Sequence, residues 1–70
     1  MKITIIFKKD LTKHVVFQGP VSVFTKNEIY TVITPQITFE YPLHTIRKIK
    51  EDVTVLQGGA AVTCKVYNFK

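Results

Sequence analysis

The chain has 70 residues, 46% of them hydrophobic and 21% charged, with ten Lys and Arg against five Asp and Glu. That apolar share excludes a disordered tail, and the length excludes a multi-domain enzyme with a deep, many-layered site. The net charge of +5 admits an anionic partner, although a charge of this size also serves simply to keep a small domain soluble.

Residue choice points to an all-β domain. Eight Ile, nine Val and nine Thr stand against two Ala, and branched side chains are restricted in helices but pack well on a pleated surface. Turn signals recur at Lys9-Asp10, Gly19-Pro20, Lys26-Asn27, Thr34-Pro35, Pro42 and Gln57-Gly58-Gly59. Spacing of this kind predicts an antiparallel meander of five to seven short strands, forming a partly open small barrel or a sandwich in a single domain, residues 1–70.

In chain order, the first predicted hairpin joins Lys2–Lys8 to His14–Gln18. Ile3, Ile5 and Phe7 share a face there and meet Val15 and Phe17. Gly19-Pro20 ends the second strand, because Pro20 has no amide proton for a ladder. A short strand from Val21 to Phe24 then runs toward Asn27. A second hairpin spans Glu28 to Tyr41 about Pro35-Gln36, with Thr34 opposite Ile37, Val32 opposite Phe39 and Tyr30 opposite Tyr41. Ile37, Phe39 and Tyr41 fall on one face, read as core, against Gln36, Thr38 and Glu40. Ile29 and Ile33 fall on the second face of their strand, which is therefore covered on both sides or forms an interface.

In Leu43-His44-Thr45-Ile46-Arg47-Lys48-Ile49-Lys50 the apolar residues recur every third position. That spacing fits a turn and a half of helix, and equally a strand entered through a bulge. We favour a short turn followed by a strand from Ile46. The last hairpin turns at Gly58-Gly59, which can supply two positive φ angles. A two-residue turn there sets Val55 opposite Val62, Thr54 opposite Thr63, Val53 opposite Cys64 and Asp52 opposite Lys65. Cys64 then shares a face with Val53, Val55, Val62 and Val66 and reads as a small core residue.

Tyr41-Pro42-Leu43-x-x-Ile46-x-x-Ile49, following a strand pair, resembles short β-rich proteins of Gram-positive bacteria, their phages and mobile elements. A related pattern occurs in PH-like and GRAM-like half-barrels. The resemblance covers roughly residues 28–50 and implies a compact antiparallel β-domain. It brings no catalytic residue with it. It implies an accessory or inhibitor protein of phage or mobile-element type.

The chain carries no Gly-rich phosphate loop, no zinc spacing among His14, His44 and Cys64, and no paired carboxylates on one predicted strand face. The expectation is a protein that is not an enzyme, with no cofactor and no metal. One cysteine permits no internal disulfide, and the apolar run Ile3–Phe7 is shorter than a signal-peptide core or a membrane span. A cytoplasmic protein without a membrane partner is expected.

The leading expected function is protein binding, by β-edge pairing or occlusion, with another protein or with itself as a homodimer. Interface candidates are Ile29, Ile33, Tyr67 and Phe69. The alternative is nucleic-acid binding through Lys8, Lys9, Lys13, Arg47, Lys48 and Lys50, with Tyr67 as a stacking ring. In the predicted register Lys50 lies opposite Tyr67, and Lys65, Tyr67 and Phe69 form the outer face of the last strand.

Overall fold

The computed structural model describes residues 1–55 and 61–70, with the backbone alone at 54–55 and 61–63. Seven antiparallel strands form two sheets that do not close into a barrel. They are β1 (Lys2–Phe7), β2 (His14–Gln18), β3 (Ser22–Lys26), β4 (Ile29–Ile33), β5 (Thr38–Pro42), β6 (Ile46–Val55) and β7 (Ala61–Asn68). The four-stranded sheet has the order β2-β1-β6-β7 and the three-stranded sheet the order β3-β4-β5. The chain thus leaves the first sheet after β2, completes the second as a meander, and returns for β6 and β7.

Alternation along the strands supplies the core. Ile3 and Ile5 on β1, Ile46 and Ile49 on β6, and Tyr30 and Val32 on β4 are buried between the sheets. Full burial of one such aliphatic side chain contributes about 1.5–3 kcal/mol. One flank, between β2 and β5, is filled by aromatic rings. Phe17 and Phe39 lie 5.0 Å apart and Phe7 and Tyr41 5.6 Å apart, both pairs tilted. Such geometry sets the positive edge of one ring toward the negative face of the other.

The second predicted hairpin has the observed register, and the first brings together the residues expected to meet. Ile3 faces Phe17 and Ile5 faces Val15, while Val32 faces Phe39 and Tyr30 faces Tyr41. Gly19, at φ 101°, ends β2 in a conformation that L side chains rarely adopt. Ile37 departs from expectation. It precedes β5, at the turn where Thr34 N–H donates to its carbonyl, and is 57% exposed rather than core.

The stretch after Pro42 is a single 3₁₀ turn, Leu43–Thr45, followed by a strand from Ile46. Along β6 the β1 partner steps from Ile6↔Lys48 to Phe7↔Ile46, so Arg47 is the extra residue of a bulge. The bulge explains the three-residue spacing. It lets Ile46 and Ile49 both face the core, which a regular strand forbids. Arg47 turns to β7 instead. Its guanidinium Nη1 donates to the Phe69 carbonyl, and Phe69 N–H donates to the Arg47 carbonyl at 2.9 Å.

The β6–β7 register is one residue away from the predicted one. Asp52 faces Cys64, Glu51 faces Lys65, Lys50 faces Val66 and Ile49 faces Tyr67. The proposed turn at Gly58-Gly59 lies outside the described residues. The upstream end fixes the pairing: Phe69 is clasped by Arg47 and packs against the core, which draws Tyr67 and Lys65 onto the inward face. A slip of one residue would turn that whole set outward. Cys64 and Val66 therefore lie on the outer face and are exposed, contrary to the core reading. Beyond the Lys2↔Asp52 pair, Val53–Val55 pair only with Ala61–Thr63 among the described residues, as a two-stranded ribbon.

Candidate functional site

The sandwich presents two very different outer faces. On the three-stranded sheet, strand alternation sends Val23, Val32 and Phe39 inward and Phe24, Ile29 and Ile33 outward. Phe24 is 48% and Ile33 39% exposed, and Ile29 is half-buried. With Thr31, Thr38, Lys26 and Glu40 these residues surround a shallow groove of about 330 Å³. Large apolar side chains collected on one small face, with charges only toward its rim, mark a contact surface rather than scattered exposure.

Two of the four interface candidates, Ile29 and Ile33, are thus brought together. Tyr67 and Phe69 are not part of that face. They line a separate groove of about 380 Å³ between β7 and β3, with Val23, Thr25 and Glu51. Phe24 borders both grooves and was missed by the sequence reading. Its signal was the alternation of Val21-Ser22-Val23-Phe24, which puts Phe24 opposite Val23 in facing.

The four-stranded sheet carries the charge. Its strands and loops hold nine of the ten Lys and Arg but only three of the five acids, a net +6. The three-stranded half holds Lys26, Glu28 and Glu40, a net −1. Lys2, Lys48 and Lys50 point to the outer face, because their β1–β6 neighbours Ile3, Ile5 and Ile49 point inward. At one end Lys8, Lys9, Lys13 and His44 surround a groove of about 660 Å³ with Phe7 and Thr45. Lys8 N–H donates to the Thr45 carbonyl at 2.9 Å, which ties the β1–β2 loop to the 3₁₀ turn. The one acid of this loop, Asp10, is engaged by its own turn. The Thr12 hydroxyl and the Thr12 N–H, the latter at 3.0 Å, both donate to its Oδ1 and hold its carboxyl below the usual carboxylate range.

The predicted nucleic-acid patch is therefore only partly assembled. Lys8, Lys9 and Lys13 converge, and Lys48 and Lys50 share the adjoining outer face. Arg47 is turned toward Phe69, and Tyr67 lies on the opposite side of the sheet from Lys50. No stacked Lys50–Tyr67 pair forms.

Among the described residues one buried side-chain hydrogen bond joins the two sheets. The Tyr30 hydroxyl on β4 donates to Oε2 of Glu51 on β6 at 2.7 Å, and both residues are buried. Burial first, and then the Glu51 carboxylate, push the Tyr30 phenol far above its ordinary value. Glu51 faces inward despite its charge. Its inward position follows from Ile49, two residues earlier on the same face. Among the described residues no buried side-chain nitrogen or oxygen lacks a partner, and no three His, Cys, Asp or Glu side chains gather as metal ligands. No helix among them is long and apolar enough to cross a membrane.

No protein-family model, curated protein or solved structure matches the chain.

Proposed function

We propose that this protein is a non-enzymatic binding module that pairs with a second copy of itself through the outer face of the three-stranded sheet. The observation that carries the reading is the apolar face of Phe24, Ile29 and Ile33 around its shallow groove. Charge selects the occupant. This half of the molecule has a net charge of −1, so two copies meet there without repulsion, whereas two basic faces at +6 each repel. A two-fold contact is self-complementary. Lys26 and Glu40 flank the face on β3 and β5, so each can meet the other's counterpart across the axis.

The size of the face sets the strength. Three strands of five residues cover about 14 Å by about 17 Å, well below the roughly 800 Å² per partner of a standard interface. The dimer is accordingly weak and concentration-dependent. An accessory role of the kind the resemblance over residues 28–50 implies, in a reducing compartment that suits the free Cys64 thiol, agrees with such a module. Light scattering across about 20 μM to about 1 mM tests it, since specific interfaces of small area dissociate in this range. The mass is expected to rise from 8.0 kDa toward twice that value. Ile33→Lys is expected to hold it at the monomer, while Val66→Lys on the other sheet leaves association intact. A chain that is monomeric throughout ends the reading.

A further inference from the structure

We propose that the basic end of the four-stranded sheet binds the phosphate backbone of nucleic acid, with Lys8, Lys9 and Lys13 around the end groove and Lys48 on the adjoining face as its contacts. This does not depend on self-association, because the two surfaces lie on opposite sheets.

Three observations converge on it. First, the positive charge is segregated: the four-stranded half carries +6 and the other half −1. A one-sided field of this kind steers a polyanion to one face. Second, the lysines are placed around a concavity and not spread along a strand. Lys8, Lys9, Lys13 and His44 line one groove of about 660 Å³, and a backbone hydrogen bond from Lys8 to Thr45 holds its two walls together. Third, the lysines outnumber the one acid at the groove three to one, and Asp10 accepts both Thr12 hydrogen bonds on Oδ1, within its own turn.

The neighbourhood also selects among anionic partners. A lipid surface is held by cations beside apolar groups that enter the acyl boundary. Here the lysine loop exposes a single large apolar side chain, Leu11, against three cations, while Phe24 and Ile33 belong to the opposite sheet. On the adjoining outer face, among the described residues, the exposed large apolar side chains are Val16 and Val66, in mid-sheet. Tyr67 does not join the contact: it is 42% exposed, but it lies on the opposite side of the sheet from Lys48 and Lys50, in the groove against β3. What remains is cation-to-phosphate contact, which gives affinity without sequence readout.

The salt dependence follows. Each phosphate neutralised on duplex DNA contributes about −0.9 to the slope of log K against log salt. Four lysine contacts give a slope of about −3.6, which weakens binding about 150-fold between roughly 50 and 200 mM salt.

The experiment is fluorescence anisotropy of a labelled duplex of about 20 base pairs, long enough to span the protein at 3.4 Å per pair. Two unrelated sequences are titrated from low to moderate salt. Both are expected to bind alike with that slope. The variant Lys8→Gln/Lys9→Gln/Lys13→Gln, at three exposed positions, is expected to reduce the slope to about −0.9 and the salt weakening to about 3.5-fold. Circular dichroism of the variant reports that the fold is retained, and Lys26→Gln on the other sheet is expected to bind as the parent does. Absence of binding at the lowest salt overturns the proposal. So does a triple variant with the parental slope, or tighter binding to phosphatidylserine vesicles than to the duplex.

Discussion

Removing the Tyr30 hydroxyl isolates its hydrogen bond to Glu51 between the two sheets. In Tyr30→Phe the ring still fills its place between Val32 and the β6 isoleucines, so packing is retained. What is lost is the donor to Glu51, leaving a carboxylate at 8% exposure without the partner that lies at 2.7 Å. A hydrogen bond to a charged group contributes about 1.5–3 kcal/mol, because the buried acceptor left behind bears the desolvation penalty alone. A domain of this length has a total stability of about 3.5–10 kcal/mol, so about 2 kcal/mol is a large share. It corresponds to a fall in Tm of about 8–16 °C. The assay is urea unfolding followed by circular dichroism, with the thermal midpoint as a second measure. The same reasoning fixes the double variant: Tyr30→Phe/Glu51→Met removes both polar partners and is expected to be more stable than Tyr30→Phe alone. A Tyr30→Phe chain within about 0.5 kcal/mol of the parent would refute the bridge as a stabilising contact, since that is the ordinary scatter of neutral substitutions.

Three further outcomes are expected. Asn27 and Glu28 form the two-residue β3–β4 turn with φ 53° and 61°, and glycine is the residue best suited to the second of these positions. Glu28→Gly is expected to raise stability by about 0.5–1 kcal/mol in the same urea assay. At alkaline pH, burial raises the phenols of Tyr30 and Tyr41 above their ordinary value. Their protonated forms are favoured in the folded state, so their contribution is complete below about pH 10 and is lost as pH rises beyond it. Unfolding midpoints are expected to be flat to about pH 9 and then to fall, by at most about 1.4 kcal/mol per pH unit per group, less steeply in Tyr30→Phe. Finally, the exposed Cys64 thiol is raised by its hydrogen bond with Asp52, by partial desolvation and by the Asp52 charge. The native protein is expected to take up iodoacetamide completely but more slowly than free cysteine, and faster in Asp52→Asn; labelling only after denaturation would contradict the exposed placement.

The fold was legible where local chemistry and tertiary packing agree. Ile3 and Ile5 against Phe17 and Val15, and Val32 against Phe39, needed only alternation and a short loop. The turn-then-strand after Pro42 was also readable, because a 3₁₀ turn followed by a bulge is one of few ways to seat Leu43, Ile46 and Ile49 together. The last hairpin was misread because a local turn was allowed to set the register. Packing at the far end, through Phe69 and Arg47, set it instead and carried Cys64 outward and Tyr67 inward. Glu51 escaped notice for a related reason. Its partner Tyr30 is 21 residues away on the other sheet, and no sequence pattern announces such a contact. Of the candidate sites, the apolar face was half legible through Ile29 and Ile33. The segregation of charge between the sheets required the topology.

The central claim is that Phe24, Ile29 and Ile33 meet their counterparts in a second copy. Isotope-filtered nuclear Overhauser spectroscopy on a mixture of labelled and unlabelled protein tests it most directly. At about 1 mM, where a weak dimer is populated, cross-peaks between chains are expected among these three side chains and none at Val16 or Val66. Inter-chain cross-peaks confined to Val16, Val66 or the β7 edge, or none at all, would contradict the account.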